Sequence, residues 1–119
     1  KLIKERLMDE LAISEASLKR AVRDYLQYKT NLGELYADQL FSGEAIEVRG
    51  KTRRKIQGCQ AGTADFFVLK NGRIFFLELK GDKGRQTPAQ GAFQKLVEMQ
   101  KAEYHLIRSI EELQEIIPL

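Results

Sequence analysis

Three charged residues, Asp65, Glu78 and Lys80, stand within the most apolar part of the chain. Carboxylate oxygens are the ligands that magnesium and manganese prefer, and a nearby ammonium group can stabilise a developing anion. We interpret Asp65 and Glu78 as candidate metal ligands, with Lys80 beside them and the backbone carbonyl of Leu79 as a candidate third ligand. The alternative is that Lys80 only neutralises Glu78 while Asp65 caps a turn.

A β-hairpin is predicted to position these residues. Asn71-Gly72 separates two runs, 62–70 and 73–80, that are rich in β-branched and aromatic residues, which is the strongest short signal for a two-residue hairpin turn. That turn would set Asp65 opposite Glu78 as a non-hydrogen-bonded pair, with Cα atoms about 4.5 Å apart. Lys80 would project from the same face. Facing carboxylates repel, so the pair favours a bound cation, and the apolar neighbours predict strands buried on both faces.

An acid followed, after a hairpin, by Glu-x-Lys resembles the PD-(D/E)XK nucleases. More narrowly, the chain resembles their VRR-NUC branch, the virus-type replication-repair nucleases. The matching segments are Gly62-Thr63-Ala64-Asp65, Glu78-Leu79-Lys80, Gly84-Arg85-x-Thr87-x-x-Gln90 and Ser14-Glu15. One departure is Ala64, where the family motif commonly has proline.

The resemblance implies an α/β fold with a restriction-endonuclease-like αβββαβ core, in which helices flank a mixed sheet. It implies a metal-dependent endonuclease that hydrolyses branched DNA, four-way (Holliday) junctions above all, with Mg²⁺ or Mn²⁺ as cofactor. Asp65, Glu78, Lys80 and Gln90 would be catalytic, and Glu15 would be a further metal ligand. A flap or nicking nuclease of the same fold and a non-catalytic nucleic-acid-binding module are the alternatives.

Two of these residues also have purely structural interpretations. Gln90 lies three residues after Thr87, with Pro88 between them, which predicts a capping box at a helix start. Glu15 follows the predicted N-cap Ser14, where an acid complements the helix dipole. Either explanation is sufficient without a metal, so both alternatives stay open for these two residues.

Cations are concentrated on both sides of the acid–lysine hairpin. Upstream, a dense run is predicted to form a loop or the tip of a long hairpin, and downstream a glycine-rich segment, 81–85, carries two more. A charge run is usually a solvated face, but its position here favours contacts to DNA phosphates. The candidate DNA-binding residues are Arg49, Lys51, Arg53, Arg54, Lys55, Lys83 and Arg85.

The remaining elements follow from periodicity and caps. A helix is predicted from Ser14 to about Tyr28, and strands over 34–41 and 44–49. After the hairpin come the helix that starts at Thr87, a short strand over 104–108 and a closing helix over 109–117. The crossover through a helix requires the strand over 104–108 to lie parallel to a neighbour.

Composition bounds the class of protein. The chain has 119 residues, 43% of them hydrophobic, with one cysteine, one histidine and a formal net charge of +3. We expect one domain over 1–119, with a core over 14–117 and a helical arm over 1–13. A cysteine-based zinc cage or an internal disulfide is excluded by the single Cys59. We expect no membrane association and a cytoplasmic setting, in a chain of phage or bacterial type.

The resemblance also implies a homodimer, because stand-alone members of the family are junction-resolving dimers. The segment over 1–13 carries a stripe of Ile3, Leu7 and Leu11 at helical spacing, which makes it a candidate for the dimer contact. The same stripe could equally pack on the chain's own core.

Overall fold

The computed structural model describes residues 14–118. The helices are α1 (Glu15–Asn31), α2 (Pro88–Met99) and α3 (Ile110–Ile116). The strands are β1 (Tyr36–Gln39), β2 (Glu44–Arg49), β3 (Thr52–Gln57), β4 (Phe66–Lys70), β5 (Arg73–Leu79) and β6 (Glu103–Ile107). The predicted arm over 1–13, with the dimer contact assigned to it, lies outside the described residues.

Four strands form a mixed sheet in the order β1-β4-β5-β6. β1, β4 and β5 are antiparallel, and β6 lies parallel to β5 after the crossover through α2. The predicted α/β class, the mixed sheet and the parallel placement of the late strand are therefore confirmed.

Helices cover both faces of this sheet. On one face, Leu18 and Val22 of α1 and Leu113 of α3 pack with Phe66 and Phe75 in the larger hydrophobic core. On the other face, a smaller cluster joins Val97 and Phe93 of α2 to the sheet. The prediction that the hairpin strands are buried on both faces holds only at the Glu78 end. It is wrong near the turn, where Leu69 and Ile74 are exposed because α2 does not cover that part of the sheet.

The central hairpin has the predicted register. Lys70 pairs with Arg73 beside the turn, and the ladder continues to Phe66 opposite Leu77. Asn71 and Gly72 both have positive φ, 51° and 76°, as a two-residue turn of this kind requires. Turn chemistry thus sets which residues of β4 and β5 face each other.

A second, separate hairpin is formed by β2 and β3. The basic run was predicted to be a loop or a hairpin tip, and the loop alternative is wrong for Arg53, Arg54 and Lys55, which lie within β3. Gly50, with a φ of 59°, makes the turn. The strand expected over 34–41 is shorter, because only Tyr36–Gln39 pair with β4.

The three predicted helix starts are confirmed. The hydroxyls of Ser14, Thr87 and Ser109 each accept a hydrogen bond from a backbone N–H in the first turn. No helix within residues 14–118 is long and apolar enough to cross a membrane.

Candidate metal centre

Asp65 lies at a bend immediately before β4 and not in the ladder. Its backbone N–H donates to the carbonyl of Leu77 at 3.0 Å, while its carbonyl accepts from Leu40 of the neighbouring chain segment at 2.7 Å. The prediction of a regular Asp65:Glu78 strand pair is therefore wrong in detail. The chain bends at Asp65, and its backbone bonds to Leu77 and Leu40 and not to Glu78. The carboxylate still reaches β5, since its Oδ2 accepts a hydrogen bond from the Leu79 N–H at 2.7 Å.

Glu78 is buried beside Asp65, with 3% of its surface exposed. Burial is the main cause that raises the pKa of the Glu78 carboxyl, and the hydrogen bond and negative charge of Asp65 add to it, to about 8. The positive charge of Lys80 opposes the shift but does not cancel it. In the absence of a cation, Glu78 is therefore predominantly protonated at neutral pH.

Gln90 serves the helix start and the acid pair together. Its Oε1 accepts from the Thr87 N–H at 2.8 Å, and the Thr87 hydroxyl accepts from the Gln90 N–H at 3.2 Å, which completes the capping box. Its Nε2 donates to Glu78 Oε2 at 3.2 Å. The two interpretations of Gln90 are thus compatible, because opposite ends of one amide perform them.

Lys80 follows β5 and is 9% exposed. Its backbone N–H donates to Ile107 of β6 at 3.1 Å, which fixes the start of the loop that follows. Its side chain packs against Gly84, where a Cβ would come within 3.3 Å of Lys80 Cδ. The backbone and the aliphatic part of Lys80 are thus fixed at the end of the sheet and against Gly84, and the positive charge of Lys80 is close enough to act on Glu78.

Glu15 is the first residue of α1 and lies at the end of the sheet that carries Lys80. Its backbone lies beside Gly81, and its charge makes a small contribution to the raised pKa of Glu78. Its side chain is exposed. Within residues 14–118 no three histidine, cysteine or acidic residues form a group suited to a metal ion, so Glu15 stands near the acid pair without joining it.

Lys19 was not among the residues singled out from the sequence. Its Nζ lies 3.6 Å from Asp65 Oδ1, so a second cation borders the acid pair from α1. One signal could have identified it: Lys19 follows Glu15 by four residues, which places both on one face of the helix.

The donor set fits a hard divalent cation. Glu78 Oε1 is buried and accepts from no hydrogen-bond donor of the described residues, so without a cation the two carboxyls are stabilised by the proton that they share. In an extended strand the N–H and C=O of one residue point to the same side, so the Leu79 carbonyl shares the Asp65 side of β5. Asp65, Glu78 and the Leu79 carbonyl would hold the ion, and all three donate oxygen.

The candidate DNA-binding residues occupy two surfaces. The upstream group lies on the β2–β3 hairpin and its turn, with Arg49 at the end of β2 and Lys51 beside Gly50. Lys83 and Arg85 are exposed in the loop between β5 and α2. Arg108 fixes this loop by donating to the Gly81 carbonyl at 2.8 Å.

No protein-family model matches this chain, and no curated protein is significantly similar to it.

Proposed function

We propose that this chain is a metal-dependent endonuclease that hydrolyses branched DNA, a member of the VRR-NUC branch with a restriction-endonuclease-like core. One observation carries the proposal. Asp65 and Glu78 bring two carboxyls together in a largely buried place, and one buried oxygen, Glu78 Oε1, has no partner in the described residues. Buried carboxyl oxygens usually accept from hydrogen-bond donors, whereas here a proton shared between the two carboxyls, or a cation in its place, must stabilise them.

The order of elements supports the same fold. Along the chain, the strands of the main sheet and the helices beside them follow in the order α1, β1, β4, β5, α2 and β6. This is the order αβββαβ once the β2–β3 hairpin is set aside as an insertion. The acid pair and Lys80 lie where β4 begins and β5 ends. These two strand ends lie at the same end of the sheet, and the start of α1 also approaches that end.

A bound magnesium or manganese ion would act as a Lewis acid on a phosphate oxygen and lower the pKa of a water molecule. The chain's own groups orient the ligands: the Leu79 N–H holds Asp65, and the Gln90 amide holds Glu78. Lys80, which is 9% exposed, follows them at the end of β5, and its positive charge acts on Glu78. There it stabilises the negative charge that develops on the phosphate during cleavage.

The acid pair disfavours a non-catalytic binding module. Carboxyls near a phosphate weaken binding, so a pure binding surface gains nothing from placing the partly exposed Asp65 beside the buried Glu78. The cations of the β2–β3 hairpin and of the loop over 81–85 would contact the DNA backbone on either side of the acid pair. Because symmetrical resolution of a four-way junction needs two centres, a homodimer with two-fold symmetry is the proposed working unit.

A cleavage assay tests the function directly. The purified chain is incubated with a labelled four-way junction, a flap and a matched duplex, each with magnesium or with EDTA. We expect cleavage of the junction in magnesium only, with little cutting of the duplex. Cleavage of the flap alone would select the flap nuclease, and intact DNA of all three kinds would reject the endonuclease.

A further inference from the structure

The β2–β3 hairpin stands apart from the rest of the domain. Its two strands pair with each other and, among the described residues, contact no other helix or strand. A lone two-stranded hairpin is at best marginally stable in water, so its exposed faces call for a partner.

The root of the hairpin is joined by backbone hydrogen bonds. The Gly43 N–H donates to the Cys59 carbonyl at 2.9 Å, and the Gly58 N–H donates to the Gly43 carbonyl at 2.7 Å. The ring of Phe41 lies against Gly58 and occupies the space that a Cβ there would need. These contacts connect the hairpin to the segment that follows β1.

The root also adjoins the candidate metal centre. The Leu40 N–H, one residue before Phe41, donates to the Asp65 carbonyl at 2.7 Å. Each strand has six residues, which corresponds to a length of about 20 Å. The hairpin thus extends from the same end of the sheet that carries the acid pair.

On one face of the hairpin, Glu47 forms ion pairs with two arginines. They are Arg54, its cross-strand partner, at 3.1 Å, and Arg49, two residues along β2. These three side chains share a face because cross-strand partners and alternate residues point the same way. Their net charge is +1, the same as that of Glu44, Arg53 and Lys55 on the opposite face, so the two faces differ in the pairing of their cations and in their exposed aliphatic side chains and not in net charge.

The opposite face combines aliphatic and basic side chains. Ile46 pairs across the strands with Lys55, and Val48 pairs with Arg53. Ile46 is 62% exposed and Val48 58% exposed, although both side chains are large and apolar. Lys55 reaches Glu44 at 3.3 Å, whereas Arg53 has no ion pair within the described part of the chain. We call Ile46, Val48, Arg53 and Lys55 the aliphatic–basic face.

Nucleic acid at a branch point matches this chemistry. The cations attract phosphates, whereas an apolar protein partner would have to desolvate them without compensation. Aliphatic side chains that bind DNA insert against base pairs and disturb their stacking. That insertion costs least where the stack is already interrupted, as it is at a branch point.

We infer that the aliphatic–basic face is a wedge that binds DNA at a branch point. Ile46 and Val48 lie against the base pair that the branch exposes, and Arg53 and Lys55 contact the flanking phosphates. The inference rests on the proposed function and adds to it the element that distinguishes a branched substrate from a continuous duplex.

The experiment compares affinities for a four-way junction and a matched duplex by fluorescence anisotropy in calcium, where little cleavage is expected. Ile46→Thr/Val48→Thr removes the aliphatic surface but keeps the β-branched shape that favours a strand. We expect about tenfold weaker binding to the junction and unchanged binding to the duplex. The matched control, Leu96→Gln/Met99→Gln, removes two other exposed apolar side chains and should alter neither affinity.

A second measurement reports on stacking itself. The junction carries 2-aminopurine beside the branch, whose fluorescence rises when the base is unstacked. We expect a rise with the wild-type chain and none with Ile46→Thr/Val48→Thr at saturating concentrations. Circular dichroism of each variant confirms that the fold is retained.

A ratio of junction to duplex affinity that is the same in wild type and in Ile46→Thr/Val48→Thr would overturn the wedge, whether both affinities are unchanged or both fall equally. If the oligomeric state of that variant also changes on light scattering, the face is assigned to a second copy of the chain. Because the binding assay does not depend on cleavage, its outcome decides the wedge whether or not the chain proves to be a nuclease.

Discussion

Gln90 Nε2 donates to Glu78 Oε2 at 3.2 Å, while the Oε1 of the same amide accepts from the Thr87 N–H that opens α2. The start of the helix and the orientation of the buried acid therefore depend on one side chain. A substitution that preserves the cap but removes the donor separates these two roles.

Gln90→Glu makes that separation. Glutamate at this position still accepts from the Thr87 N–H, so the capping box should be retained. Glu78 loses its donor and gains a like charge, so cleavage should fall at least tenfold, measured as single-turnover rate in magnesium. Gln90→Ala is the comparison: it should also lower the free energy of unfolding, by about 1 kcal/mol. Full cleavage by Gln90→Glu would limit Gln90 to the cap.

The raised pKa of Glu78 predicts a pH-dependent stability. The folded chain holds the proton up to about pH 8, whereas an ordinary glutamate loses it near 4.5. The contribution of Glu78 to the free energy of unfolding is therefore full below pH 4.5 and is lost as the pH rises through about 8. Chemical denaturation of wild type and Glu78→Gln across this range measures it. As the pH rises, the free energy of unfolding of Glu78→Gln should come to exceed that of wild type, by about 1–3 kcal/mol at pH 9.

Metal binding should release that proton. Because the cation and the proton compete for Glu78, the apparent affinity for manganese should rise up to tenfold per pH unit below pH 8 and level off above it. Calorimetry in buffers of different ionisation enthalpy counts the protons released. Glu78→Gln, which has no proton to lose at this position, should show a nearly flat pH dependence. A steep dependence in the variant would place the metal elsewhere.

Cleavage should follow the chemistry of an all-oxygen donor set. EDTA should abolish it, and magnesium or manganese should restore it, because both accept the octahedral oxygen coordination that Asp65, Glu78 and water can provide. Calcium should support binding with poor turnover. Cleavage that survives exhaustive chelation would contradict the assigned metal centre.

The salt dependence of DNA binding should distinguish the two faces of the β2–β3 hairpin. Arg53→Gln should flatten the slope of log affinity against log salt by about 0.9, the value for one lost phosphate contact. Arg54→Gln should change it less, since Arg54 is paired with Glu47. Equal slopes for wild type and Arg53→Gln would show that Arg53 contacts no DNA phosphate.

Much of the fold is predictable from local chemistry. Asn71-Gly72 determines the register of β4 with β5, and Ser14, Thr87 and Ser109 mark the helix starts, because turns and caps depend on few neighbouring residues. The bend at Asp65 is not predictable in this way. It depends on Leu40, which donates to the Asp65 carbonyl, and on Leu77, which accepts from the Asp65 N–H, and both are distant from Asp65 in sequence.

The candidate site is likewise predictable where it depends on local chemistry and not where it depends on distant contacts. The convergence of Asp65, Glu78 and Lys80 is predictable from hairpin register, since strand alternation needs only a turn and a count. The approach of Lys19 to Asp65 is not, because it depends on how α1 packs across the sheet. The β2–β3 hairpin was one of the two predicted alternatives for the basic run, but its separation from the main sheet is not predictable, since its alternation does not reveal that neither face is covered.

The central claim is that this chain cleaves DNA with the help of a cation that Asp65 and Glu78 hold. It is tested most directly by measuring cleavage and binding of one labelled four-way junction by wild type, Asp65→Asn and Glu78→Gln in magnesium. The predicted result is cleavage by wild type and at least a thousandfold loss in each variant, on the order expected when a metal ligand is removed, with junction binding unchanged or tighter. Cleavage by purified Glu78→Gln at the wild-type rate would contradict the account.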